Sequence, residues 1–365
     1  MDTRADAAFM SRALTLAERG RGRTSPNPMV GALVVDDEGV IVGRGSHQVA
    51  GGPHAEVYAL NEAGDRARGA TLYCTLEPCS HVGRTGPCAP LVARAGIRRA
   101  VVALEDPNPK VSGRGVAHLR EQGIDVCIGI GRVEAKRLNR PFFTAMRHGR
   151  PHVTMKAALS LDGCVAGGLG IRTAITGPDA SRVIHRERAE IDAIAVGSQT
   201  VLVDDPLLTA RGAYRPRPLA RVVFDRRLRT SADARLLSTL SDGPVIVITA
   251  PLTTEDRRRR ADVLRSAGAS IEEIDGEAFL NAALPRILER GVTSMTVEGG
   301  PTLHAAFWRA GLVDRVQLFV SPRALGPSGV RWIDVPAAIV PMLHDVTAIP
   351  VGDDVAIEGY VHRID

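Results

Sequence analysis

The sequence predicts two α/β domains in tandem, and three observations carry that prediction. Short apolar runs of strand length alternate with longer segments of helical periodicity along the 365-residue chain, the pattern of helices laid over a central sheet. The alternation halts at His148-Gly149-Arg150-Pro151 and then starts afresh. Domains over 1–147 and 148–365 are each long enough to bury a core, and no repeat or low-complexity tract interrupts either.

The elements follow in order. Phe9, Met10, Ala13, Leu14 and Ala17 recur at helical spacing. Residues 29–36 (MVGALVVD) read as a buried strand and 55–63 as a helix. Strands are expected over 70–76, 98–104 and 125–130, with helices between them, one of which ends at Gly123 as helices often do. A single closing helix is expected over 133–147. In the second half, strands are expected over 152–159, 192–197, 219–225, 244–249, 294–299 and 315–320, with helices over 179–189 and 303–310. The arginine run 257–260 lies in a segment, TTEDRRRRADVLRSAG, that reads as the solvated face of a helix.

Composition narrows the function. Apolar residues make up 44% and charged residues 24%, as in ordinary globular chains. No apolar run approaches the ~18 residues of a membrane span. Asp2 and Asp6 stand where a signal peptide would be basic and then apolar. The expectation is a cytoplasmic protein that does not enter a membrane. The five cysteines, Cys74, Cys79, Cys88, Cys127 and Cys164, are too unevenly placed for a disulfide framework; clustered cysteines in a reducing compartment point to metal. A net charge of +5 admits nucleic acid, but aromatics at 4% are too sparse for base-stacking platforms. An anionic small molecule accounts for the arginines equally well, so no nucleic-acid partner is expected.

One constellation carries chemistry. His54-Ala55-Glu56 is followed by Glu77-Pro78-Cys79 and by Cys88. One imidazole and two thiolates suit zinc, and three protein ligands leave the fourth tetrahedral position for water. A metal of this kind lowers the pKa of water towards 7. Glu56 lies two residues from His54, so on a helix it points elsewhere and fits a proton shuttle between water and a departing amine. A structural zinc site would require a fourth protein ligand. Cys74 alternates with Leu72 and Leu76 and so faces the core; His81 fits a substrate-side or surface position better than a ligand's. The signature of zinc nucleobase deaminases is H-x-E with P-C-x-x-C; here Cys88 stands nine positions after Cys79 instead of three.

That longer spacing resembles a particular family. EPCSHVGRTGPC (77–88) is similar to the motif of the bacterial bifunctional riboflavin-biosynthesis deaminase-reductases, in which the inserted loop is the rule. PNPMVG (26–31) and AGGPHAEVYAL (50–60) extend the likeness, and by it Asn27 would contact the pyrimidine. DPNPKVSGRG (106–115) resembles the family's pocket rim, which would place Asp106 and Asn108 on the substrate; turn formation before the prolines is their other reading.

In the second half, KAALSLDG (156–163), VGSQTVLVDDPLLTAR (196–211) and VEGGPTL (297–303) match the reductase half in order and rough spacing. A glycine-rich strand-to-helix turn also suits a phosphate. The resemblance implies a cytidine-deaminase-like three-layer domain followed by a dihydrofolate-reductase-like α/β domain. It implies one zinc, held by His54, Cys79 and Cys88 with Glu56 as shuttle, and NADPH along Ala158, Thr200, Asp204, Gly300, Pro301 and Thr302. Arg188, Leu208, Arg211 and Glu298 would meet substrate; Lys156 and Asp162 belong to the same motifs without an assigned role. Arg226 and Arg227, after the 219–225 strand, are candidates for the cofactor 2′-phosphate. The implied reactions are zinc-hydroxide deamination of 2,5-diamino-6-(5-phosphoribosylamino)pyrimidin-4-one, then reduction of its ribosyl to a ribityl group.

One stretch departs from the family. Its Ser-x-Trp before Ile-Thr-Gly reads Arg172-Thr173-Ala174 here, so the family's Ser contact to substrate and Trp contact to cofactor are missing. This keeps open a second domain that is non-catalytic or altered in specificity. A tRNA-editing deaminase shares the zinc motif but would need a basic, aromatic-lined groove. The oligomeric state is left open, a homo-oligomer included.

Overall fold

The structure is a computed structural model and describes residues 3–80, 86–109, 111–333 and 342–363. It forms two compact units, Met1–Gly149 and Arg150–Arg363. Among the described residues no helix is long and apolar enough to cross a membrane.

In the first unit the elements run α1 (Thr3–Ala17), β1 (Gly31–Val35), β2 (Ile41–Ser46), α2 (Ala55–Ala63), β3 (Thr71–Cys74), α3 (Cys88–Arg94), β4 (Arg99–Val102), α4 (Arg114–Glu121), β5 (Asp125–Ile128), α5 (Arg132–Leu138) and α6 (Arg140–His148). Among the described residues the strands make one sheet in the order β2-β1-β3-β4-β5. Its β2-β1-β3 part is antiparallel and its β3-β4-β5 part parallel. Every residue of β1 is buried, which is why its sequence is a continuous apolar run rather than an alternating one.

Strand β2 was not among the expected strands because its sequence, IVGRGS, breaks alternation with two glycines. Packing explains them. Helix α2 lies directly on β2, and a Cβ on Gly45 would stand 1.9 Å from the Ala55 carbonyl oxygen. The bare strand lets the start of α2, which carries His54 and Glu56, sit close against the sheet.

The single helix expected over 133–147 is two helices, α5 and α6, broken at Asn139. The Asn139 side chain accepts a hydrogen bond from the Met29 N–H at 2.7 Å and donates one to the Met29 carbonyl at 2.9 Å. Pro141 brings no N–H to the first turn of α6. The chain gives up helix continuity there to clamp the segment that carries Asn27.

The second unit runs β6 (His152–Leu159), β7 (Cys164–Ala166), α7 (Pro178–Glu190), β8 (Ala193–Gly197), α8 (Ser198–Asp204), β9 (Ala220–Phe224), β10 (Val245–Thr249), α9 (Glu255–Ser266), β11 (Ala269–Glu273), α10 (Phe279–Glu289), β12 (Ser294–Val297), α11 (Pro301–Arg309), β13 (Arg315–Val320), β14 (Val330–Arg331), β15 (His344–Val351) and β16 (Asp354–Tyr360). Its large sheet has the order β11-β10-β9-β8-β12-β6-β13-β16-β15. From β11 to β13 all pairs are parallel; β16 and β15 join antiparallel. Strands β8 to β11 step outward to one edge, and then β12 returns between β8 and β6. Reversals of this kind open a crevice beyond the carboxyl ends of the strands.

The strands missing from the expectation, apart from the short β7 and β14, are β11, β15 and β16, at the two edges of the sheet. Residues 345–350 of β15 are all exposed, so the burial that writes alternation into a sequence is absent there. Helix α9 bears out the solvated arginine face for Arg258 and Arg259, which pair with Glu255 and Asp256. Arg257 is the exception: it turns inward and donates to the Arg226 and Ala250 carbonyls.

Candidate active sites

In the first unit three short segments converge. His54 occupies the N-cap of α2 with extended backbone, φ −77° and ψ 166°. Cys88 is the first residue of α3, and Cys79 lies in the loop that leaves β3. His54 Nδ1 stands 3.5 Å from Cys79 Sγ and 3.3 Å from Cys88 Sγ, and the three donor atoms lie within 4.8 Å of one another. The Cys88 N–H points at Cys79 Sγ at 3.4 Å. Hydrogen bonding from Cys88 outweighs burial and, with His54 beside it, lowers the Cys79 thiol, in the direction that favours the metal-binding thiolate.

The donor set fits zinc. One ring nitrogen and two sulfurs have converged, and no fourth His, Cys, Asp or Glu joins them among the described residues. Three protein donors are the number that a catalytic zinc site takes, its fourth position going to a non-protein ligand. Cys74 is fully buried in the core and is not one of the three grouped donors. His81 lies outside the described residues.

Glu56, in the first turn of α2, is buried, and its Oε2 finds no hydrogen-bond partner among the described residues. Burial pushes its carboxyl up to about 7. An orphaned carboxylate oxygen beside three metal donors calls for a partner that comes from outside the chain. The adjoining cavity, of about 340 Å³, is lined by Asn27, His47, His54, Glu56, Asp106 and Asn108, among others. All the residues expected there on the substrate side are thus brought to one place. Asp106 Oδ1 accepts the Asn108 N–H at 2.8 Å, so the turn role and the cavity position hold together.

Two residues gain a place that the motifs did not assign. Glu77 is buried and accepts four backbone N–H groups: Asp106 and Gly113 on Oε2, Gly115 and Val116 on Oε1, at 2.8–3.1 Å. It caps the start of α4 from a remote segment and fastens the 106–113 rim beside the metal loop. Gly115 is needed for this approach, since a Cβ there would stand 1.9 Å from the Pro78 carbonyl oxygen. His47 is the other. It is buried against the same cavity, edge-on to His54 with ring centroids 5.5 Å apart.

The second unit offers a larger cavity, of about 980 Å³, at the carboxyl ends of β6, β8, β9 and β12. Ala158, Thr200, Asp204, Arg226, Gly300, Pro301 and Thr302 all line it, as do Lys156, Glu298 and Arg227. Helix α11 begins there: Gly300 is its N-cap, with no side-chain cap, and Pro301 opens the first turn. Nothing stands within 4 Å of where a Gly300 Cβ would be. The helix start, with free space beside Gly300, suits a phosphate, and the size suits a dinucleotide.

Charge is gathered at Glu298. Arg188 grips its carboxylate with two hydrogen bonds, 2.9 and 2.7 Å, and Lys156 lies 3.5 Å away. Burial works to raise the Glu298 carboxyl, but Arg188 and Lys156 overcome it and hold it well below the usual range. Burial raises Asp204, offset in part by Arg172. Arg226 rests its guanidinium over the Phe279 ring at 4.9 Å.

Three expected substrate contacts lie outside the lining of this cavity. Arg188 sits behind Glu298 and gives its remaining Nη1 hydrogen bond to the Thr209 carbonyl at 3.1 Å. Leu208 is buried in the core at φ 53°, and Arg211 is exposed, its N–H donating to His185 Nδ1 at 3.1 Å. Asp162 ties down its own loop, accepting the Leu325 and Gly326 N–H groups at 3.0 and 2.8 Å. In the departing stretch, Arg172 and Thr173 line the cavity. Thr173 Oγ1 accepts the Gly167 N–H at 2.9 Å, closing the glycine-rich loop on itself.

A three-donor zinc cluster beside a buried carboxyl in one α/β unit, with a nucleotide-sized crevice in a second, defines a two-domain enzyme of the deaminase and reductase type. Comparison with known proteins agrees unit by unit. Residues 3–104 match the cytidine and deoxycytidylate deaminase zinc-binding region, and residues 151–357 match the RibD C-terminal domain. The riboflavin biosynthesis protein RibD of Aquifex aeolicus is 42% identical over 335 residues, 90% of this chain and 92% of its own. That of Escherichia coli is 42% identical over 333 residues, 88% and 89% respectively. Among solved structures, RibD of Acinetobacter baumannii superposes with a TM-score of 0.89 at 35% identity, covering 99% of this chain and all of its own. The diaminohydroxyphosphoribosylaminopyrimidine deaminase/5-amino-6-(5-phosphoribosylamino)uracil reductase of Thermotoga maritima gives 0.85 at 33% identity with the same coverage. The chain belongs to the RibD family. It is a bifunctional enzyme of riboflavin biosynthesis, a zinc-dependent deaminase and an NADPH-dependent reductase, with the fold class that its motifs predict.

Proposed function

We propose a division of labour in which residues 1–147 deaminate 2,5-diamino-6-(5-phosphoribosylamino)pyrimidin-4-one and residues 148–365 reduce the ribosyl group of the product. The observation that carries the first half is the buried Glu56 carboxyl beside His54, Cys79 and Cys88, its Oε2 without a partner among the described residues. These three residues would hold zinc, which would supply the Lewis acidity that makes water a nucleophile at neutral pH. Glu56 is placed to take up a proton at its Oε2 and to deliver it to the leaving amine. Asn27 meets the pyrimidine, and Asp106 with Asn108 holds the phosphoribosyl end. The enclosing walls exclude bulk water and fix the ring against the attacking side.

In the second half, NADPH supplies the hydride, and the chain supplies place and charge. Gly300, Pro301 and Thr302 offer the α11 start to the pyrophosphate; Ala158, Thr200 and Asp204 lie along the cofactor, with Arg226 and Arg227 at its 2′-phosphate. Glu298 lies on the substrate side of that cavity, backed by Arg188 and Lys156. On the neighbouring loop, exposed Arg211 serves the substrate's phosphate, while Leu208, buried in the core, anchors that loop. The partner is a phosphorylated small molecule of the cytoplasm rather than a nucleic acid.

The test couples metal analysis to an ammonia-release assay on the diaminopyrimidine phosphate, followed by NADPH oxidation at 340 nm with the deaminated product. One zinc per chain, ammonia release and NADPH consumption are expected. An active enzyme free of metal overturns the first half. Ammonia release without NADPH oxidation overturns the second.

A further inference from the structure

We propose that His47 is a positioning residue that fixes which end of the Asn27 amide faces the deaminase cavity, so that the cavity demands a hydrogen-bond donor on the heterocycle. This rests on the reading that the cavity takes an aminopyrimidine and deepens it.

The inference follows from donor and acceptor chemistry. His47 Nδ1 lies 3.0 Å from the Pro53 carbonyl oxygen. A carbonyl only accepts, so Nδ1 carries the hydrogen. In the neutral ring, Nε2 is then a bare lone pair. Asn27 places an amide atom 3.1 Å from that Nε2, and only its NH2 group can donate there. The Asn27 Oδ1 is consequently turned away from His47. No described residue donates to it, and Asn27 lines the cavity.

The arrangement has little freedom to reverse. His47 is 2% exposed and packs edge-on against His54, so its ring does not turn over readily. The backbone around Asn27 is held by the Asn27 N–H on the Thr24 carbonyl at 2.8 Å and by the Asn139 clamp on Met29. What remains free is rotation of the Asn27 amide, and the His47 lone pair removes it. The substrate face of Asn27 is an acceptor. It selects a ring N–H or an amino group and rejects a bare ring nitrogen, because two opposed lone pairs would lose a hydrogen bond and repel.

A double-mutant cycle with a tautomer measurement tests this. His47→Phe keeps a flat ring without nitrogens; Asn27→Ala removes the amide. Each single variant is expected to lose about 10-fold in kcat/KM for ammonia release, mostly through KM, with zinc content unchanged. The double variant is expected to be no worse than Asn27→Ala alone, because His47 acts only through Asn27. Losses that multiply would overturn the proposal. Long-range 1H–15N spectra of the intact enzyme should show His47 as the Nδ1–H tautomer; the Nε2–H tautomer would overturn it even if His47→Phe fails to fold. A wild-type enzyme that releases no ammonia from the diaminopyrimidine would instead sink the functional reading itself.

Discussion

The first unit draws its chemistry from side chains between His54 and Cys88, on two helix starts and one loop. The second draws on the ends of four strands, from Ala158 to Thr302, and on the glycine-rich start of a helix. The cavities differ accordingly, about 340 Å³ against about 980 Å³. A deaminase must hold an ion and move protons at fixed atoms, so it concentrates particular side chains. A reductase whose cofactor carries the reactive atom needs a long cradle, and a cradle can be built from many residue types. The difference shows where mutation should be abrupt and where it should be graded.

The largest expected effect is at Glu56. Glu56→Gln should keep zinc but lower ammonia release by about 10²–10⁴-fold, the worth of a positioned acid–base group. NADPH oxidation with the deaminated intermediate should stay at the wild-type rate. Near-normal ammonia release would show the shuttle to be another group; equal loss at both sites would break the contrast between the units. Next comes Glu298, whose carboxylate balances two buried cations. Glu298→Ala should destabilise the second unit by about 3–5 kcal/mol, because Arg188 and Lys156 keep their burial cost without a counter-charge. Urea unfolding should show a lowered transition for that unit only, and an unmoved one would refute the account. At Glu77 the effect should be smaller and fall on binding. Glu77→Gln weakens charge-assisted bonds to four backbone groups, so the pyrimidine KM should rise about 10-fold or more with zinc retained. Unchanged KM would mean that the rim keeps its shape without the charge.

The same contrast governs how much was legible in the sequence. His54, Glu56, Cys79 and Cys88 could be singled out because zinc and proton transfer admit few residue types, and the structure brings them to one place; α2 was expected at 55–63, where it lies. His47 could not be singled out. Its role depends on the Pro53 carbonyl and on Asn27, and a histidine seven positions before a metal ligand carries no spacing rule. Asn139 read as an ordinary helix residue until its amide was found on Met29. In the second unit, the Arg188–Glu298 pair joins residues 110 positions apart, a closeness that only the strand order creates. The β2 glycines hid a strand because their purpose, admitting α2, is tertiary.

The smallest expected effect belongs to Arg226 and Arg227. Both are exposed on the second unit's cavity, where each cation–phosphate pair is worth roughly 0.5 kcal/mol, about 1 kcal/mol for the two. Their joint replacement by Ala should therefore raise the KM for NADPH only about 5-fold and leave that for NADH nearly unchanged, since NADH has no 2′-phosphate. Salt should diminish the difference, because exposed charges are screened within about 8 Å at physiological ionic strength. Equal changes for both cofactors would remove these arginines from the phosphate and leave the cradle without a side chain that distinguishes the two. A graded, salt-sensitive preference is what exposed charges should show, and Glu56 should show nothing of the kind.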